Sequence, residues 1–142
     1  MRKDIDYLGI SVVFFCHDGK CKFLLAKRSK DCRDEQGCWD VGGGAVDVHI
    51  SIEEAIRKEV KEEYCTEVLK IEFLGYRDVH RVVDGVKTHW LALDFKVKID
   101  PSAAKIGEPH KFDELGWFSP DSFPTPMHSQ LPVALNSYKH LL

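Results

Sequence analysis

The segment Ile52–Tyr64 (IEEAIRKEVKEEY) reads as a helix in a chain otherwise dominated by strand-forming runs, and it sets what the fold can be. Ser51 with Glu54 three residues on is a capping-box pattern, and Glu, Lys, Ala and Arg fill the positions that follow. At about 100° per residue, with Glu59 set at zero, Ile52, Ile56 and Val60 fall near 20°, 60° and 100°, a single apolar stripe. Such a stripe must be buried against another layer. Strands, this helix, more strands and a last helix predict an α/β fold in which helices cover a mixed β-sheet.

The stripe is interrupted by charge. On the same wheel Glu63 lies near 40° and Glu62 near 300°, so Glu59, Glu62 and Glu63 sit inside or beside the apolar face, whereas Glu53 and Glu54 fall among Arg57 and Lys61 and read as solvated charges. Two readings compete. The helix could lie at the edge of the core, its glutamates reaching to water and pairing with lysines. Alternatively the three carboxylates hold a cation, since like charges at i, i+4 repel, and repel more where burial lowers the dielectric. Magnesium takes oxygen ligands and keeps several waters, so carboxylates on one face plus substrate phosphates complete its shell. Gly42, Gly43 and Gly44, just ahead of the helix, permit close backbone approach to a diphosphate. Alone they would signal only a tight strand-to-helix connection.

Around this segment, Gly9 to Cys16 and Cys21 to Ala26 flank an Asp18-Gly19 turn and predict two antiparallel strands. A polar stretch, Lys27 to Gly37, leads to Trp39 and Val41. Val68 to Val83 and Val86 to Ile99 predict a second hairpin closed at Asp84-Gly85. Asp100 to Glu114 reads as a loop, Leu115 to Phe118 as a short strand, and Pro120, Pro124 and Pro126 as a stiff turn. Met127 to Leu142 reads as a closing helix with Pro132 near its start. One domain over residues 1–142 is expected, a length that buries roughly two-thirds of the unfolded surface.

Composition narrows the function classes. With 44% hydrophobic and 30% charged residues the chain is of ordinary globular type, and a net charge of −3 offers no basic field for long nucleic acids. The basic start of MRKDIDYLGISVVFF is interrupted by Asp4 and Asp6, which favours a first strand over a leader or membrane segment. Five cysteines without a CxxC pair argue against a disulfide framework and fit reduced thiols in a cytoplasmic protein. A zinc site from Cys16, His17 and Cys21 matches no ligand spacing. His89, within a strand, reads either as a structural hydrogen-bonding group or as a contact to the substrate.

Gly44 to Thr66, aligned without gaps, resembles the Nudix box: Gly, five residues, Glu, seven residues, then Arg-Glu-U-x-Glu-Glu-x-Gly-U, where U is aliphatic. Gly44, Glu59, Val60, Glu62 and Glu63 match. Trp39-Asp40-Val41-Gly42-Gly43 is similar to the family's Trp-x-x-Pro-Gly-Gly lead-in, and Glu108-Pro109-His110-Lys111 with Leu115-Gly116-Trp117-Phe118 resembles later segments of MutT-like members. Four positions depart. Ile50 stands where the first Glu belongs, with Asp47 three residues earlier as a substitute carboxylate. Lys58 replaces an Arg that orients a ligand Glu, and an ammonium lacks the planar fork. Cys65 and Thr66 replace Gly-U, removing the usual glycine C-cap.

The resemblance implies a Nudix-type α/β/α sandwich with a mixed sheet. It also implies a Mg²⁺-dependent hydrolase, with Mn²⁺ as the substitute ion, cleaving the phosphoanhydride bond of a nucleoside diphosphate linked to another moiety, such as a nucleoside triphosphate or nucleotide sugar. Glu59, Glu62 and Glu63 are then the metal ligands. Glu62, Glu63 and Lys58 belong to the catalytic group, with Glu108 or Glu114 as further general-base candidates. Gly43, Gly44, Asp47, His89, Glu108 and Glu114 are expected to line the substrate. The partner is a small nucleotide, without membrane or long nucleic acid; family members are often homodimers, and the sequence leaves the oligomeric state open. The alternative is a degenerate Nudix domain that binds nucleotides with little or no turnover.

Overall fold

The computed structural model describes residues 1–142, folded as a seven-stranded mixed sheet between two helices. The strands are β1 (Gly9–His17), β2 (Phe23–Arg28), β3 (Trp39–Asp40), β4 (Gly42–Ala45), β5 (Val68–Val83), β6 (Val86–Ile99) and β7 (Phe112–Phe118). The helices are α1 (Ile52–Tyr64) and α2 (Leu131–Tyr138). No helix is long and apolar enough to cross a membrane.

Strand β1 shows why the architecture has three layers. Its residues alternate, so Val12, Phe14 and Cys16 join Ile56, Val60 and Tyr64 of α1 in one core, while Phe15 joins Leu131, Ala134 and Tyr138 of α2 in the other. Buried on both faces, β1 also has partners on both edges: parallel to β6 from Gly9↔Trp90 to His17↔Lys98, and antiparallel to β4 from Ser11↔Ala45 to Phe14↔Gly42. The expected β1–β2 hairpin is therefore reduced to one pair, His17↔Phe23. The Asp18 carboxylate accepts from Lys20 N–H at 2.6 Å and Lys22 N–H at 3.2 Å, a wider turn than a two-residue hairpin allows. Beyond it β2 diverges to pair with β7 and β3. The second hairpin closes where Asp-Gly predicts, with φ of 52° at Asp84 and 77° at Gly85.

Helix α1 begins as the capping box requires: Glu54 N–H donates to Ser51 Oγ at 3.1 Å and Ser51 N–H to Glu54 Oε2 at 3.3 Å. It ends without glycine because Cys65 itself turns left-handed, at φ 58°, its N–H bonded to Lys61 O at 3.0 Å. Several boundaries differ from expectation, two of them through long-range contacts. Strand β7 starts at Phe112 rather than Leu115, since Phe112 pairs with Arg28. The last helix starts at Leu131 rather than Met127, because Trp39 N–H donates to Pro126 O and His128 N–H to Trp39 O, holding this stretch against β3. Pro132 lies in the first turn of α2, where its missing N–H is harmless.

Replacing Ser51 by Ala removes the Oγ that accepts from Glu54 N–H while leaving the backbone half of the box, and is expected to destabilise the protein by about 1 kcal/mol, lowering Tm by about 3–5 °C in a thermal melt. An unchanged Tm would show that the start of α1 is held by packing alone.

Candidate active site

Helix α1 packs across β4, and the glycines of that strand are dictated by the carboxylates above them. A Cβ at Gly44 would lie 2.6 Å from Glu59 Oε2; one at Gly42 would fall on the Phe14 ring and 2.7 Å from Glu63 Oε2. A Cβ at Gly43 would meet Val12 O at 2.8 Å. Backbone φ at these three glycines is not left-handed. Their requirement is space rather than flexibility: Glu59 and Glu63 occupy the volume that side chains on β4 would fill.

That placement determines the electrostatics. Glu63 is buried at 4% exposure, and its Oε2 has no hydrogen-bond partner. Burial first, then the neighbouring charges of Glu59 and Glu108, push its pKa well above the carboxylate range. Burial and then Glu62 raise Glu59. Glu108, on the loop before β7, also has a buried Oε1 without a partner, while its Oε2 meets Lys111 Nζ at 3.4 Å. Two orphaned oxygens and a set of mutually repelling carboxylates, with Lys58 and Lys111 only at the margin, form an all-oxygen donor group that fits a hard divalent cation. Glu62 lies at the exposed edge of this group, 4.0 Å from Lys58.

Beside Glu63 opens a cleft of about 290 Å³, floored by Gly42, Gly43 and Gly44. Its far wall comes from Arg77, Val79 and Arg81 of β5 and Trp90 and Ala92 of β6. Arg77 forms a bidentate pair with fully buried Asp94 at 2.7 and 2.9 Å, leaving its buried Nη1 without a partner beside the cleft. Asp40 also lines the cleft; burial, opposed by Arg28, pushes its carboxyl up to about 7. At the rim Asp34 pairs with Arg28 at 2.7 Å and Arg81 at 3.0 Å, and Glu35 with Arg81 and His128, each at 2.8 Å. Asp34, Glu35 and His128 are close enough to chelate an ion, but Arg28 and Arg81 already neutralise their carboxylates.

Other expected site residues lie elsewhere. The ammonium of Lys58 is 3.0 Å from Asp47, so Asp47 serves as its counter-ion instead of joining the box carboxylates, and Ile50 packs against the core beneath α1. Glu114 is exposed in β7 opposite Lys27. His89 alternates with cleft-lining Trp90 and so projects from the sheet face on which α1 packs, opposite the Arg77 wall of the cleft. Cys16 is buried while Cys21 is exposed, and His17 Nδ1 accepts from Gly19 N–H, so these three make no metal site. Conversely, Asp40, Arg77, Arg81 and His128 escaped the sequence reading. The alternation Arg77-Val79-Arg81 was the one available signal, a basic stripe on a strand face.

A two-helix, mixed-sheet fold with glutamates of one helix set over a glycine strand defines a Nudix-type hydrolase. The NUDIX domain family matches residues 7–138, and the chain belongs to it. The MutT NUDIX hydrolase from Burkholderia pseudomallei is 26% identical, with 93% of this chain and 98% of that one covered at a TM-score of 0.81. The MutT protein from Methanosarcina mazei Go1 is 22% identical over 94% of each chain at 0.77. The NUDIX domain of Shewanella oneidensis NrtR, in a structure with ADP-ribose, is 18% identical over 99% and 90% of the two chains at 0.72. No curated protein matches by sequence. Family membership places the chemistry in the general class of phosphoanhydride hydrolysis, for which divalent metals are the usual cofactors.

Two outcomes test this geometry. Gly44→Ala should displace the flexible Glu59 carboxylate and abolish metal-dependent activity while the protein still melts cooperatively, whereas Gly42→Ala, which strikes Phe14, should destabilise the fold by about 1–3 kcal/mol. Asp40 binds its proton more tightly in the folded than in the unfolded chain, so it favours folding below its ordinary pKa of 3.8, and that contribution is lost as pH rises to about 7. Asp40→Asn should therefore remove up to roughly 4 kcal/mol of stability loss between pH 4 and pH 8, read as a flatter unfolding free energy against pH.

Proposed function

We propose that the protein is a Mg²⁺-dependent nucleotide pyrophosphohydrolase of the cytoplasm, cleaving the phosphoanhydride of a nucleoside diphosphate linked to another moiety, with Mn²⁺ able to replace Mg²⁺. The observation that carries this reading is the pair of buried, partnerless oxygens, Glu63 Oε2 and Glu108 Oε1, beside Glu59 over the glycine strand. Glu59, Glu62 and Glu63 would hold the ion, which when bound neutralises charge on the diphosphate. The cleft then orients the rest of the substrate. Gly43 lets the diphosphate approach bare backbone, and Gly44 leaves room for the Glu59 carboxylate. Arg77 Nη1 donates toward the bound group, and Trp90 offers an aromatic wall. Glu63 and Glu108, each with a buried oxygen that has no partner, are the carboxylates assigned to accept a proton from attacking water. Five free cysteines support the cytoplasmic assignment.

Turnover of nucleoside triphosphates, ADP-ribose, dinucleoside polyphosphates and NADH, measured with Mg²⁺ and with EDTA, tests the proposal. At least one substrate should be cleaved only with metal, and Glu59→Gln and Glu63→Gln should each lower kcat by roughly 10²–10⁴-fold. Glu108→Gln flattening the alkaline or acid limb of the pH profile would assign it the proton. Nucleotide binding without metal-dependent turnover on any substrate would establish a binding module instead.

A further inference from the structure

Residue His89 belongs to a second constellation. Along β5 and β6 the cleft is lined by Arg77, Val79 and Arg81 and by Trp90 and Ala92; Asp78, His80 and His89 fall between them and share the opposite face. His80 and His89 are directly paired across the ladder, with ring centroids 4.1 Å apart and planes at 31°. His89 Nε2 is 2.9 Å from Asp78 Oδ1, and one ligand atom from each of the three residues lies within 4.8 Å of the others. We propose that Asp78, His80 and His89 form a binding site for a borderline transition-metal ion, with Zn²⁺ as the reference ion, on the sheet face opposite the nucleotide cleft.

Three features favour this over a chance meeting of surface groups. Both histidines stand on a hairpin whose pairing runs unbroken from Gly75↔Asp94 to Val83↔Val86, so little backbone ordering is required on binding. The backbone of His89 is further clamped from the N-terminal segment, its N–H donating to Asp4 O at 2.8 Å. The three side chains are half-exposed or exposed, which leaves room for water to complete the coordination shell. Their only close polar partners are one another, in contrast to Asp34, Glu35 and His128, whose carboxylates are already paired with arginines. Lys87, two residues before His89 on the same face, opposes a cation, but it is exposed and solvent screens it.

Donor chemistry separates this site from the glutamates of α1. Two imidazole nitrogens and one carboxylate prefer Zn²⁺, Ni²⁺ or Cu²⁺, whereas the all-oxygen set of Glu59, Glu62 and Glu63 prefers Mg²⁺ or Mn²⁺. The chain would thus carry two metal sites, one on α1 and one on the β5–β6 hairpin, distinguishable by ion.

The experiment is a Zn²⁺ titration of the full chain against a chromophoric chelator in millimolar Mg²⁺, paired with Tm measured with and without one equivalent of Zn²⁺. One equivalent should bind and raise Tm. Loss of an outer-shell partner alone weakens metal sites by roughly 10–100-fold, so His80→Ala and His89→Ala should each weaken Zn²⁺ binding at least 10-fold and erase the Tm increase. Circular dichroism and the metal-free Tm check that these surface variants fold. The proposal is overturned if no equivalent binds, or if His80→Ala/His89→Ala binds Zn²⁺ as tightly as the unaltered chain, which would put the ion on the cysteines or on α1. Because Mg²⁺-dependent hydrolysis is not the readout, failure here leaves the proposed hydrolase untouched, and the reverse holds.

Discussion

The arrangement depends on one constraint: helix α1 lays carboxylates, rather than only methyl groups, against the sheet. Glu63 lies in the same stripe as Ile56 and Val60 and is buried with them. Packing a helix on a sheet normally interleaves side chains from both layers. Here the sheet contributes none at two positions, because Gly42 and Gly44 leave that volume to Glu63 and Glu59. The burial is unfavourable on its own, since desolvation and mutual repulsion raise both pKa values. It is sustained by a core beneath α1 in which Phe14, Ile56, Val60 and Tyr64 are wholly buried.

From the glycine strand follows the opening of the sheet. Residues 39–45 pass from β2, where Ala26 pairs with Asp40, to β1, where Phe14 pairs with Gly42. This crossing separates β1 from β2 beyond their single pair, and the cleft forms beside it. The rim is fastened by charge pairs linking distant segments: Arg28 of β2 and Arg81 of β5 both reach Asp34, and Arg81 and His128 both reach Glu35. Glu35 also accepts from Ser129 N–H at 2.6 Å and Ser129 Oγ at 2.9 Å. A half-buried network joining three otherwise unconnected loops and strands contributes more than isolated surface pairs, because each carboxylate is held by several donors at once.

What the sequence disclosed were the locally encoded parts. Residues 52–64, their capping box and the Asp84-Gly85 turn are set by neighbours within four positions, and each occurs where local chemistry places it. The acidic stripe was legible because helical periodicity maps spacing directly onto a face. Long-range choices were not. Nothing near Asp18-Gly19 reveals that β4 will take β1's edge, and nothing near Phe112 reveals its pairing with Arg28. The face on which His89 stands was hidden for a related reason: a strand residue's face follows from register, and it is Trp90 beside it that lines the cleft. Nor does the sequence show that Lys58, one turn of helix before Glu62, pairs with Asp47.

Net charge, which offers no basic field for long nucleic acids, says little about the cleft itself. Although the chain carries −3 overall, Arg28, Arg33, Arg77 and Arg81 line the cleft together with a single glutamate of α1, Glu63. The arginines are not equivalent. Arg28 and Arg81 are engaged by rim carboxylates, whereas Arg77, anchored through two nitrogens on Asp94, keeps one buried N–H group aimed at no partner. A donor so fixed loses little freedom when a ligand meets it, so its bond favours ligands with an acceptor at that point over those without one. The cleft therefore joins two unsatisfied groups of opposite character, a cation-deficient carboxylate cluster on α1 and an acceptor-deficient guanidinium on β5. A molecule that brings a metal-bound anionic segment and a neutral group with hydrogen-bond acceptors satisfies both at once, and this pairing of demands distinguishes the cleft from a site for a simple anion.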